Sequence, residues 1–184
     1  VVSLFTFFVV ILVQGKAREL FEVSWSGLGK SALLGALNPF GYYLILFEAY
    51  SLLPAQVAQP LNMVWPITLA LLSAPLLKQK ITFRNIIAIL ISFIGVIFIP
   101  SQGSFSGIQK TNPTGAILAI GSSIIWALFW ILSVLDKRDE IIKLFWNFAF
   151  GLVYLLIAAF FFTNFQFPDL KGLPAAIYIG LFEL

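Results

Sequence analysis

The hydrocarbon core of a bilayer takes a helix of about twenty consecutive apolar residues. This chain offers such runs one after another, separated by short polar breaks. Reading from break to break gives seven segments: 1–14, 31–52, 55–77, 85–100, 114–135, 141–163 and one that starts near Pro174. The first and last are too short to span, and the fourth is short enough to stand upright or sit where the bilayer thins. Composition agrees, with 60% apolar and 10% charged residues and a mean hydropathy of +1.00, against about 25% charged in soluble domains. A folded chain of 184 residues still shows solvent a large part of its surface. Eleven basic and eight acidic side chains cannot cover that surface in water. The expected fold class is an all-α membrane protein, a multi-pass transmembrane helix bundle.

That composition excludes a cytosolic enzyme, a disordered tail and a disulfide-stapled secreted module. With no Cys there is no disulfide, thiolate metal site or cysteine nucleophile. With no His the commonest general base and most zinc and haem ligation go too. No Walker lysine in a glycine-rich loop is present, so ATP is not the expected energy source. No cofactor and no metal are expected. Gly103-Ser104-Phe105-Ser106-Gly107 is no nucleophile elbow, because Phe105 holds the nucleophile's place. Asp136, Asp139 and Glu140, beside Lys137 and Arg138, read as a solvated loop rather than a metal site.

The net charge of +3 has a membrane explanation, and no nucleic-acid partner is expected. The break after the first segment carries Lys16, Arg18 and Lys30; the break after the third carries Lys78, Lys80 and Arg84; the break after the fifth carries Lys137, Arg138 and Lys143. The alternate breaks hold only Lys110 and Lys171. Nine basic residues against two, in strict alternation, place the breaks after the first, third and fifth segments in the cytoplasm by the positive-inside rule. The longest external stretch, Ser101 to Pro113, is rich in Ser and Gly and marks a boundary between two bundles. The run from Val1 to Val13 has no basic flank before it, and Leu184 falls inside another apolar run, so a fragment of a longer chain is expected.

An internal repeat accompanies this topology. Gly27-Leu28 with Gly35 returns as Gly172-Leu173 with Gly180, at an offset of 145 residues. The first copy enters the membrane from the cytoplasm and the second from outside, so the copies are inverted. Inverted repeats recur in transporters, with the substrate site near the midplane between them.

The run from Leu53-Pro54-Ala55-Gln56 through Gln59-Pro60-Leu61-Asn62, then Trp65-Pro66, Leu76 to Thr82 and Ile94-Gly95-Val96, resembles the fourth and fifth helices of EamA-type transporters of the drug/metabolite transporter superfamily. Gly115 to Ser122 with Trp126-Ala127-Leu128 resembles the family's sixth helix, and Tyr178 to Glu183 the start of its eighth. The resemblance implies a fold of two inverted five-helix repeats, of which this chain holds about helices two to eight. It implies the end of a first repeat over 1–100, an external linker over 101–113 and the start of a second repeat over 114–184. It implies a secondary transporter, an exporter of small organic metabolites such as amino acids or amines, in a bacterial plasma membrane. The small-molecule substrate and the lipid bilayer are the expected partners, and homodimer formation is left open. Alternating access would proceed around a cavity lined by the second, third, fifth and seventh segments. Two other readings compete. An integral-membrane enzyme acting on lipid-linked substrates needs acid and base residues at one membrane face, and a non-transporting scaffold needs no central cavity.

Polar residues inside the apolar runs are the candidate cavity residues. Glu183 lies about 15 Å into the seventh segment, near the midplane, where an acid usually faces a cavity or a partner. Asn38 is its repeat mate in the second segment, able equally to be interhelical glue, and Pro39 after it weakens the helix. Glu48, one turn from the external end, reads as snorkelling to the headgroups. In the third segment Gln56, Gln59 and Asn62 follow at intervals of three, with Pro66 continuing the row as one stripe. Pro60 and Pro66 remove the donors for the Gln56 and Asn62 carbonyls and are the expected helix bends. Cavity lining and kinked packing both account for that stripe. In the fifth segment Ser122, Trp126 and Trp130 share a face, where Trp126 either stacks on a substrate or packs. Trp146 and Asn147 lie one turn into the sixth, Trp146 as an interfacial anchor.

Overall fold

The computed structural model describes residues 1–98, 112–162 and 172–182. Among these, every regular element is a helix: α1 (Val2–Val13), α2 (Ala17–Phe21), α3 (Trp25–Gly35), α4 (Tyr42–Leu52), α5 (Ala55–Asn62), α6 (Trp65–Leu77), α7 (Phe83–Phe98), α8 (Pro113–Leu135), α9 (Glu140–Phe162) and α10 (Leu173–Phe182). Four stretches are long and apolar enough to cross a membrane: Trp25–Leu52, Ala55–Leu77, Pro113–Leu135 and Glu140–Phe162. The protein is therefore an all-helical, multi-pass membrane protein. The Gly103–Gly107 motif and Glu183 lie outside the described residues.

Caps set several helix starts. Asn112 accepts from the Thr114 and Gly115 amides at 3.0 and 3.2 Å, with Pro113 at the first position of α8. Asp139 does the same for Ile141 and Ile142 at the start of α9. Ser24 accepts from the Gly27 amide at 3.2 Å and starts α3 at Trp25. That is six residues before the apolar run that hydropathy detects, because Trp25 to Lys30 is a polar but capped helical turn.

Two of the spanning stretches are broken. Between α3 and α4 the chain passes through a wide π-type turn, Ala36–Gly41, in which Asn38 leaves helical geometry at φ −145° and ψ 124°. Pro39 lacks the amide hydrogen that a continuous helix requires there. The stretch 55–77 divides at Met63 and Val64, just before Pro66 in the first turn of α6. Pro60 sits inside α5 without ending it. Pro66 thus marks the break, since the Asn62 carbonyl has no donor four residues on.

The helices fall into two packing units. One comprises Val1–Phe40 with Lys137–Leu184, and the other Gly41–Asp136. In the first, α9 packs against α1 and α3, and α1 against α10. In the second, α8 is the central element, packed against α4, α5 and α6, with α7 beside α6. The core of the second unit gathers Ala49, Leu53, Ala58, Leu61 and Ala119. Small residues let these helices approach closely, which in lipid replaces the hydrophobic drive available in water.

Candidate functional site

In the Gly41–Asp136 unit, a buried polar cluster forms where α5 ends. Asn62 is 1% exposed. Its Oδ1 accepts from the Tyr42 hydroxyl at 3.1 Å, and its Nδ2 donates to Ser122 Oγ at 2.8 Å. Ser122 in turn donates to the Ala119 carbonyl at 2.7 Å. One turn on, Thr68 and Ser123 share a hydrogen bond of 3.1 Å. Side chains from α4, α5, α6 and α8 are thereby tied together inside apolar helices. Asn62, Ser122 and Trp126 lie seven, nine and thirteen residues into their spanning stretches. At about 1.5 Å per residue they sit roughly 10 to 20 Å deep, around the middle of a hydrocarbon core about 30 Å thick.

Aromatic rings border this cluster. Trp126 is half-buried, with its ring centroid 4.6 Å from that of Tyr42 and 6.2 Å from those of Phe129 and Trp130. Such a surface can hold the face of a cation or an aromatic solute. Ala119 is wholly buried, and a Cβ on Gly115 would come within 2.6 Å of the Leu53 side chain. The upper part of the α8 face is therefore close packing.

The polar row of the third segment does not keep to one face. Each step of three residues falls about 60° short of a full turn, so Asn62 is about 120° around the helix from Gln56. Gln56, in the first turn of α5, is exposed; Gln59 is exposed and accepts a hydrogen bond from the Tyr50 hydroxyl; Asn62 is enclosed. The stripe expected from sequence is thus a winding row whose inner end alone enters the packed interior. Pro60 is half-buried and Pro66 exposed. Glu48 is exposed near the end of α4.

The other unit carries a second polar place, built on close backbone contact. A Cβ on Gly35 would stand 2.4 Å from the Asn147 carbonyl oxygen, and one on Gly151 would stand 2.5 Å from Pro39 Cδ. Glycine at both positions lets α3 and α9 touch main chain to main chain. Beside this crossing Asn38 is 4% exposed and Asn147 0% exposed. The Asn38 Oδ1 and both amide atoms of Asn147 lack a hydrogen-bond partner. Unpaired buried polar atoms cost about 1–3 kcal/mol each, and they gather at functional places. Asn147 is the residue that sequence reasoning undervalued. Its available signal is an amide four residues before a glycine in an otherwise apolar helix.

The polar end of this unit is more than a solvated loop. Asp139 pairs with Lys16 as well as capping α9, Arg138 donates to Ser31 Oγ at 2.9 Å, and nearly buried Lys143 pairs with Glu140 at 2.8 Å. The lysine hydrogen bond holds the Asp139 carboxyl below its usual range, and the same bond raises Lys16. Trp146 donates its ring N–H to the Leu20 carbonyl at 3.2 Å, which pins α2.

Comparison with known proteins bears on what this arrangement serves. The family model of the EamA-like transporter family matches residues 1–100. An uncharacterized transporter of Archaeoglobus fulgidus is 31% identical over 138 residues, covering 74% of this chain and 46% of that protein. The uncharacterized transporter YyaM of Bacillus subtilis is 24% identical over 132 residues, covering 70% of this chain and 43% of that protein. The chain spans about half the length of the curated relatives it matches. No solved structure matches it. With membrane-spanning helices, polar groups at mid-depth and a family model covering its first hundred residues, the chain belongs to the EamA-like transporter family.

Proposed function

We propose that the full-length protein is a secondary transporter that exports small organic metabolites, amino acids or amines, across a bacterial plasma membrane by alternating access. The observation that carries this reading is the Tyr42–Asn62–Ser122 cluster with Trp126 at its edge, polar and aromatic chemistry held at mid-depth in apolar helices. Burying such groups in lipid is unfavourable unless they serve packing or a pathway. Trp126 faces the cationic or ring portion of the solute, and Asn62 sets the wall behind it. Gln56 and Gln59 extend the proposed lining of this unit, Asn38 and Glu183 are further proposed substrate-binding residues of the intact protein, and Pro60 and Pro66 shape the backbone.

The proposal includes the inverted repeat, divided at the 101–113 linker, and cytoplasmic placement of the loops bearing Lys16, Lys78 and Lys137. Solute efflux from vesicles containing the full-length protein tests it, against a panel of amino acids and amines. Trp126→Ala is expected to lower efflux at least tenfold while the protein still inserts. Equal efflux with and without the protein, for every solute in the panel, rejects the reading. Glu183→Gln addresses coupling: a pH dependence of efflux that survives this change removes Glu183 as a proton site.

A further inference from the structure

The Gly41–Asp136 unit contains a half-open cleft of about 670 Å³ between α6, the start of α7 and the end of α8. Its walls are apolar, with Trp65, Leu69 and Leu77 on one side, Ile89 on another and Trp130 with Val134 on the third. Its mouth is polar, formed by Gln79, Lys80 and Asn85. None of the hydrogen bonds of the Tyr42–Asn62–Ser122 cluster involves a residue of this cleft.

Three features identify an occupant. The first is length. From Trp65 to Leu77 the wall follows the thirteen residues of α6, about 18 Å, close to the 15 Å of one leaflet's hydrocarbon. The second is charge. Lys80 stands at the mouth with Lys78 in the same short connection and Arg84 in the first turn of α7, all three exposed, and none forms an ion pair among the described residues. No Asp or Glu occurs between Glu48 and Asp136, so the local sequence supplies no counter-charge. The acid at the end of α8, Asp136, is 6% exposed. The third is access. The face of α7 beside the cleft exposes Ile86, Leu90 and Phe93, so the groove is continuous with a surface that acyl chains cover.

We propose that this cleft binds an anionic phospholipid, with one acyl chain along the Trp65–Leu77 wall and the headgroup phosphate at Lys80. Basic pockets between membrane helices are suited to such headgroups, and each cation near the surface contributes about fivefold in affinity. A long apolar slot with a cationic rim matches an amphiphile better than it matches a small polar solute. The site stands apart from the transport reading: it requires only that the helices span a bilayer.

The test uses the full-length protein in detergent, titrated with phosphatidylglycerol or phosphatidylcholine brominated on the acyl chains. Bromine quenches nearby tryptophan, and Trp65 and Trp130 both line the cleft. Phosphatidylglycerol is expected to quench at lower concentration than phosphatidylcholine, and Lys80→Gln should cut that preference by about fivefold. Lys30→Gln, an exposed cation outside the cleft, should leave it intact. Ala70→Phe, which fills the slot, should weaken quenching by both lipids, whereas Lys80→Gln on an exposed loop tests the charge without touching the packing. Equal quenching by the two lipids overturns the proposal. So does an equal loss in Lys30→Gln and Lys80→Gln, or displacement of the brominated lipid by an amino acid or amine, which would assign the cleft to solute.

Discussion

Two glycines on one helix should respond in opposite ways to the same added methyl group. A Cβ on Gly35 meets the Asn147 carbonyl oxygen at 2.4 Å, the Gly151 nitrogen at 2.9 Å and the Phe150 Cβ at 3.1 Å. Two of these are main-chain atoms of α9, which no rotamer change can move. Ordinary contact needs roughly an ångström more, so α3 and α9 must separate along their whole contact. Overpacking of this kind costs about 1–3 kcal/mol. At Gly29, in the same helix, a Cβ meets nothing within 4 Å. Alanine there removes backbone freedom from the unfolded chain and should gain about 0.5–1 kcal/mol. For a chain of this size each kcal/mol moves the melting temperature by about 2–4 °C. Gly35→Ala should therefore melt several degrees below the parent and Gly29→Ala at or slightly above it, followed by thermal unfolding in one detergent. If Gly35→Ala melts with or above Gly29→Ala, main-chain contact between α3 and α9 is not what glycine provides.

Asn62→Leu strands the Tyr42 hydroxyl and removes the Ser122 contact, and should cost about 1–2 kcal/mol, while Gln59→Leu at an exposed position stays within about 0.5 kcal/mol by the same melt. Asn147→Leu removes two unpaired buried atoms at similar volume and should be neutral or stabilising by about 1–3 kcal/mol; a loss of that size would reveal a bound partner at the amide. The Lys16–Asp139 pair has an acid limb. Because the Asp139 carboxyl is held low, its contribution is complete above the ordinary carboxylate pKa and fades as pH falls through the lowered one, whereas the Lys16 contribution persists until pH rises past the usual lysine value of 10.5. Solvent screens this pair, so the effect is small, and Asp139→Asn should flatten it in a stability–pH series. The chain has no Cys, so single cysteines report sidedness directly: Lys80→Cys and Lys137→Cys should both react with an impermeant thiol reagent from the cytoplasmic side only.

Hydropathy made most of the fold legible, because in lipid the length of an apolar run is itself a structural constraint. The segments expected over 55–77, 114–135 and 141–163 coincide with Ala55–Leu77, Pro113–Leu135 and Glu140–Phe162 to within a residue. It missed what depends on hydrogen bonding. The start of α3 rests on the Ser24 cap and a polar turn, and α2 is five residues held by the Trp146 ring N–H. Proline flagged the Asn38–Pro39 break and, at Pro66, the division of the third segment. At Pro60 the helix continues to Asn62, because one missing donor does not end it.

Of the candidate site residues, Asn38, Asn62 and Trp126 were visible because each is out of place in an apolar run. Their environments were not visible. Interval counting aligned Gln56 with Asn62, but the drift of the helix separates them. Tyr42, the partner of Asn62, looks from sequence like any aromatic in a membrane helix, and only the fold brings it twenty positions along to that amide. The clefts and crossings likewise depend on which helices meet, which one sequence does not state.

Asn62 has its carbonyl oxygen and its amide nitrogen both engaged, one by Tyr42 and the other by Ser122. One N–H and one lone pair of this amide stay uncommitted, but at 1% exposure the side chain is walled in, so it works as a brace between three helices, and a visiting molecule can reach it only when those helices part.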